Sequence, residues 1–316
     1  MIKNFAYIFH KEFCHEKNFI LLFVLVMTLN FSACGNDKPE SKKIKVVATI
    51  FPVYDWTREI IGDNQNFELT LLMDKGVDLH SFQPSAQDMM MISDCDVFIY
   101  VGGESDEWVD DALKNSKNKN MVIVNLMDAL GDKVLQENHD GHIENDEHIW
   151  LSLKNAQILC DAIESALEKA APDDNSDLKK NLDAYKSELA TLDKKYQETL
   201  AAAQGKILLF GDRFPFRYLV DDYGLKYFAA FSGCSAETEA SFQTIKFLSE
   251  KVDELNLPCV MTIEGKNHKI AETIIANTAQ KNQKILVLNS MQGKVDGENY
   301  LSIMEKNLEV LKEALE

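Results

Sequence analysis

Apolar residues in the first third of the chain come in short runs separated by amphipathic stretches. Lys45–Ile50 (KVVATI), Phe67–Met73, Val97–Val101 (VFIYV) and Met121–Asn125 (MVIVN) are continuous enough to predict strands buried on both faces. Between the first two, Pro52 opens a helix through Trp56, Ile60 and Ile61, and Gly62 stops it. Ser85 opens another that carries Met89, Met90 and Ile92, at a spacing that predicts core packing. Gly102 and Gly103 end the third strand, and a short helix with Trp108, Val109 and Leu113 follows. Strands alternating with helices predict a parallel sheet covered on both sides.

The longest periodic stretch is residues 176–204. Leu178, Leu182, Tyr185, Leu189, Leu192, Tyr196 and Leu200 recur at steps of three and four, with Ser176 suited to the N-cap and Gly205 to the position past the C-terminus. At ~1.5 Å per residue such a helix is roughly 40 Å long. The alternation then resumes, with strands at Ile207–Phe210, Val260–Ile263 and Ile285–Leu288 and helices near Phe214–Tyr223, Phe242–Leu255, Ile270–Ala279 and Tyr300–Leu315. The expected fold class is α/β: two parallel-sheet α/β lobes, residues 44–172 and 206–316, joined by one long rigid helix in 173–205.

Residues 135–147 (LQENHDGHIENDE) break the rhythm and read as an exposed loop rich in metal donors, His139 and His142 among them. After it, Ala156, Leu159, Cys160, Ile163, Leu167 and Ala170 form one helical face closed by Pro172. At the other end of the chain, Lys3, Lys11 and Lys17 precede the apolar run Phe19–Leu29, which is short for a membrane span but suits a signal peptide. FSAC at residues 31–34 resembles a bacterial lipobox, with Phe31 where Leu is usual. Residues 1–33 are therefore expected to be a leader, Cys34 the lipidated first residue, and residues 34–43 a polar tether. A plain secretory signal is the alternative. Lipid and tether would hold the folded part at the outer surface of the bacterial cell membrane.

The formal net charge of −18 argues against a nucleic-acid partner, whose backbone is itself polyanionic. Of the six cysteines, Cys14 leaves with the leader, and Cys95, Cys160, Cys234 and Cys259 lack CxxC spacing. Buried thiols are the reading of these four, with room for one disulfide in an exported protein. HExxH, GxSxG, Walker A and GxGxxG motifs are all missing, so nothing marks the chain as an enzyme. No apolar span follows the leader, so it is not itself a permease.

Two histidines stand out. His80 lies in GVDLHSFQPSAQD between a strand and a helix, and His148 lies in DEHIW where the donor-rich stretch gives way to a helix. Side chains at such junctions face clefts on a fixed backbone, and neutral imidazole is a preferred zinc ligand. The segments KVVATIFPVYDW, GVDLHSFQPSAQD, DVFIYVGGESDEW, DEHIWLSLKNA, YGLKYFAAFSGCSAETEAS and YLSIMEKNLEVLKEAL resemble, in order, the zinc/manganese substrate-binding lipoproteins of bacterial ABC importers. That resemblance implies a metal cleft between the lobes. It also implies Zn2+ as the transported ligand, with Mn2+ as the alternative, and an ABC permease with its ATPase as partners of a monomeric binding protein.

The family's first two ligands match His80 and His148. Its third falls on Arg213 and its fourth on Asn289. Arginine cannot ligate a cation, and asparagine offers only a carbonyl. Glu264 and His268, at another strand-to-helix junction, are the preferred substitutes, and Asp212 is a further neighbour. Because neutral imidazoles bind the ion, affinity is expected to fall below about pH 6.5. The stiff helix predicts small lobe adjustments on binding. Two rival readings are an exported metallohydrolase with Glu264 as base, and a surface adhesin or metal buffer without a permease.

Overall fold

The computed structural model describes residues 42–74, 78–139, 142–231, 240–265, 267–292 and 297–316, less the side chains of residues 137–139 and 142–143. Cys34, Cys234 and the carboxylates Glu237 and Glu239, read from the sequence as part of a surface loop or helix start, lie outside these ranges. Residues 43–316 cluster as one compact unit.

Two four-stranded parallel sheets organise it. The first runs in the order β2-β1-β3-β4, with β1 Ile44–Ala48, β2 Phe67–Leu71, β3 Val97–Tyr100 and β4 Val122–Asn125. The second runs β10-β9-β7-β8, with β7 Ile207–Phe210, β8 Lys226–Ala229, β9 Cys259–Ile263 and β10 Lys284–Leu288. The central strands β1, β3, β7 and β9 are almost wholly buried, as their unbroken apolar runs require. The edge strand β8 is not among the strands assigned from the sequence, although it opens the apolar run Tyr227–Phe231; Lys226 is exposed and the other three residues are half-buried. The polar stretch expected as a loop is an antiparallel hairpin, β5 Gln136–His139 with β6 His142–Asn145, in which His139 stands opposite His142.

Helices α1 Phe51–Ile61, α2 Ala86–Asp94, α3 Trp108–Lys114, α4 Leu126–Leu130 and α5 Leu153–Ala170 belong to the first half. Ser85 caps α2 through a full capping box with Asp88. The methionine stripe is only partly core: Met89 and Met91 pack against the interior, but Met90 is 62% exposed.

Helix α6, Asn175–Ala202, is the 28-residue connector between the sheets. All seven residues of its predicted stripe are buried. It starts at Asn175, so Ser176 lies inside the helix, and it stops three residues short of Gly205, whose N–H instead donates to the Leu315 carbonyl at 3.0 Å. It packs on α1 and α5, and on the last helix of the chain, α10 (Tyr300–Leu315), between which fall α7 Arg217–Asp222, α8 Phe242–Glu254 and α9 Lys269–Ala276. Two hydrogen bonds pin it at either end, Asn181 Nδ2 to the Ile60 carbonyl at 3.1 Å and Tyr196 Oη to the Met304 carbonyl at 2.5 Å. One hydrophobic core runs continuously through residues of both sheets and this helix. Cys95, Cys160 and Cys259 are free and buried, and burial pushes the Cys95 and Cys259 thiols up to about 12.

Candidate metal centre

Parallel strands deliver their following loops to one edge, and the chemistry-bearing residues sit there. His80 follows β2, Ser105 and Asp106 follow β3, Arg213 follows β7, Glu264 follows β9, and the turn 289–292 follows β10. His148 lies between the hairpin and α5.

The His80 and His148 Nε2 atoms face each other at 3.2 Å. Each ring is held from behind. His148 Nδ1 is 2.7 Å from Asp146 Oδ1, which also accepts the His148 backbone N–H at 2.9 Å. A carboxylate only accepts, so the proton sits on Nδ1 and the Nε2 lone pair points forward. His80 Nδ1 is 2.7 Å from Ser105 Oγ and 3.5 Å from Glu147 Oε2, two oxygens that turn its ring the same way. Two nitrogens bound at ~2.0–2.1 Å to one tetrahedral ion would lie roughly 3.3 Å apart, so the pair fits a shared zinc.

The carboxylates behind the rings are buried: Asp146, Glu147 and Asp106 are 5%, 6% and 3% exposed. Ser105 N–H donates to Glu147 Oε1 at 2.8 Å. Gly103, at φ +86°, is the residue that makes room, because a Cβ there would lie 2.3 Å from that same oxygen. Asp106 accepts the Gly102 N–H at 2.9 Å, yet burial, reinforced by the charge of Glu147, lifts its carboxyl to about 7.

A residue absent from the sequence-based candidates completes the arrangement. Gln292 Nε2 lies 2.7 Å from His148 Nε2 and 3.4 Å from His80 Nε2. Asn289, the residue directly after β10, is turned away: its side chain accepts the Met291 N–H at 2.8 Å and its backbone is bracketed by Asn307. Met291 then adopts φ +58°, uncommon for a residue with a side chain, and this kink aims Gln292 at the imidazoles. A polar residue within four positions of a strand end was the available signal. For Asp146 and Glu147 the signal was their adjacency to His148.

Arg213 does not approach the rings as a ligand would. Its Nη2 is 3.0 Å from Asp78 Oδ2, while Asp78 Oδ1 caps the short turn of His80 by accepting the His80 N–H at 3.1 Å. Arginine at this position clamps the histidine loop from the opposite sheet. Glu264 spends both oxygens on Ser290, accepting its N–H and its Oγ–H at 2.7 Å each. Its link to the histidines therefore runs through Ser290 and Gln292, and it is not poised as the base a hydrolase would need. His268 caps α9, with its Nδ1 buried and without a hydrogen-bond partner. Burial raises the neighbouring Asp212 carboxyl, and this outweighs the Arg213 and Ile263 backbone N–H groups and the Arg213 charge, which favour its ionised form. Among the described residues, no cluster of three or more His, Cys, Asp or Glu side chains is arranged around a common point. The structure thus brings His80 and His148 together and leaves Glu264 and His268 outside that pair.

Residues 46–314 match the family described as zinc-uptake complex component A, periplasmic (ZnuA). The zinc-binding lipoprotein AdcA of Streptococcus pneumoniae is 33% identical over 311 residues, covering 94% of this chain and 61% of AdcA. The chain therefore spans about three fifths of the length of that relative. The high-affinity zinc uptake system protein ZnuA of Bacillus subtilis is 30% identical over 317 residues, covering 93% of this chain and 97% of that protein. Among solved structures, the Zn(II)-bound ZnuA-like domain of S. pneumoniae AdcA superposes with a TM-score of 0.71 at 32% identity, covering 86% of this chain and 99% of that domain.

Proposed function

This chain belongs to the ZnuA family, and from that premise we propose that it is the binding component of a zinc importer: it captures Zn(II) outside the membrane and hands it to a permease powered by an ATPase. One observation carries the reading. Two imidazole Nε2 atoms converge at 3.2 Å with their opposite nitrogens held by oxygens, an arrangement suited to donating two lone pairs to a single cation. His80 and His148 are the ligands in this reading. The zinc-binding names of the relatives and the Zn(II)-bound structural neighbour support the same cargo.

Zinc is preferred over manganese because the donors facing the cleft are nitrogens, whereas manganese favours carboxylate, carbonyl and water oxygens. Binding and release are the whole task, and no bond of a substrate is made or broken. Cys34 anchors the chain to the membrane through lipid, the polar tether spaces the folded unit from the surface, and the protein works as a monomer. Residues 44–172 and 206–316 act as two lobes about helix α6. No helix among the described residues is long and apolar enough to cross a membrane, so the permease is a separate partner in this scheme.

Elemental analysis of the purified protein, followed by calorimetric competition between zinc and manganese, tests the reading. Zinc recovered in near-stoichiometric amount and bound more tightly than manganese is the expected result. Preference for manganese, or binding of neither, would overturn it.

A further inference from the structure

We infer that Tyr218 is a positioning residue for His148: from a helix of the second sheet it pegs its hydroxyl into the neck of the β5–β6 hairpin, and so fixes Asp146 behind the imidazole. This rests on the reading that His80 and His148 bind zinc. The hairpin sets Gln136 opposite Asn145, so Leu135 and Asp146 are the next pair toward its open end. Such an antiparallel pair ordinarily exchanges two backbone bonds. One is direct, from the Asp146 N–H to the Leu135 carbonyl at 2.8 Å. The return bond is routed through Tyr218, whose Oη accepts the Leu135 N–H at 3.0 Å and donates to the Asp146 carbonyl at 2.8 Å. A phenol both accepts and donates, so one hydroxyl can stand between an N–H and a C=O that would otherwise meet. Two hydrogen bonds in series span more than one, and the hydroxyl holds the neck open on that side. Tyr218 is 3% exposed, so water does not freely replace it.

Asp146 is the residue that aims His148. Its Oδ1 accepts the His148 backbone N–H at 2.9 Å and lies 2.7 Å from the ring Nδ1. Moving the Asp146 backbone therefore moves the imidazole. Helix α7 also grips the chain beyond His148. Asp222 lies four residues after Tyr218, on the same helical face. Its Oδ2 accepts the Ser152 Oγ–H at 2.5 Å, and Lys154 Nζ donates to its backbone carbonyl at 2.9 Å and lies 3.2 Å from its Oδ1. Ser152 in turn caps α5 by accepting the Asn155 N–H at 3.0 Å. One turn of α7 thus brackets residues 146–152, with His148 between the two contacts, although α7 itself falls between β7 and β8. A metal site needs its donors placed to within about 0.5 Å. The hydroxyl of Tyr218 lets the second sheet set where a ligand carried by the first half stands.

The test removes that hydroxyl alone, with Tyr218→Phe in the full chain. Zinc affinity, read by competition with a chromophoric chelator, is expected to fall about tenfold or more, the range typical of outer groups at metal sites. The His148 Nδ1–H proton resonance of the zinc-free protein, identified by its loss in His148→Ala, is expected to shift. Tyr196→Phe is the control, because it deletes another buried hydroxyl, on α6, that donates to the Met304 carbonyl. It is expected to lower stability and to leave zinc affinity and the His148 resonance unchanged. In an Asp146→Ala background, Tyr218→Phe is expected to weaken zinc less than it does in the parent, since the route through the carboxylate is already cut. Unchanged affinity in Tyr218→Phe, an equal loss in Tyr196→Phe, or full additivity with Asp146→Ala would each overturn the positioning role while the histidine site stands. A parent protein that does not bind zinc would remove both.

Discussion

The indole Nε1 of Trp150 donates a buried hydrogen bond to the Ser290 carbonyl at 2.8 Å. Trp150 lies two residues from His148, its ring 5.2 Å from the imidazole, and Ser290 lies two residues from Gln292. One bond thus ties the two sides of the candidate site, and the Trp150 carbonyl in turn accepts from Tyr300 Oη at 2.7 Å. Trp150→Phe keeps much of the apolar body but strands a buried carbonyl. It should cost about 1–3 kcal/mol of stability and weaken zinc binding, as read by denaturant unfolding and calorimetry. With this tie in place, small-angle scattering curves with and without zinc should nearly coincide.

His80→Ala and His148→Ala should each lower zinc affinity by at least about a hundredfold, beyond the 10–100-fold typical of supporting groups. His148 is the more buried ring, with a side chain 5% exposed against 24% for His80. Its loss leaves Asp146 without its imidazole partner, so His148→Ala should also lower the melting temperature more than His80→Ala does. Calorimetric titrations indistinguishable from the parent in both variants would remove the site.

Arg213→Ala should change global stability by about 1 kcal/mol or less, because the Arg213–Asp78 pair is partly solvated on both sides. Its effect should be local. With Asp78 unclamped, the His80 backbone amide, which donates to Asp78 Oδ1, should exchange with deuterium faster while amides of the central strands are unchanged. Unchanged exchange at His80 would show that the loop holds its shape without the arginine.

Asp55 is fully buried, accepts the Tyr300 N–H at 2.8 Å and pairs with Arg58 at 2.6 Å, joining α1 to the first turn of α10. Burial outweighs these partners and raises its carboxyl from 3.8 to about 6. The folded chain therefore holds this proton more tightly than the unfolded chain does. Its ionisation opposes folding, with the penalty absent below about pH 4 and complete above about pH 6. The parent should gain on Asp55→Asn by about 3 kcal/mol as pH falls from 7 to 4. Thermal unfolding of both proteins across that range checks the sign, and a parallel pair of curves would contradict it.

The residues of β5 and β6 are almost wholly polar in sequence, so backbone pairing reveals the hairpin where an apolar pattern is missing. By contrast, β8 packs Tyr227, Phe228 and Ala229 against the core, and its apolar run is a strand signal left unassigned. Helix α6 starts one residue before the predicted cap, with Asp174 at the N-cap position and no side-chain cap hydrogen bond.

What the residues determine alone is whatever repeats locally. Apolar runs mark seven of the eight parallel strands, the three- and four-residue stripe marks α6, and two histidines at element junctions mark candidate metal ligands. Convergence was not local. The Nε2–Nε2 approach, the reach of Arg213 to Asp78 across the sheets, the commitment of Glu264 to Ser290 and the aim of Gln292 all depend on where loops from distant strands end. The left-handed backbone at Met291 decides the last of these. A single torsion of that kind leaves no periodic trace in a sequence, yet it selects Gln292 over Asn289 as the side chain that faces the imidazoles.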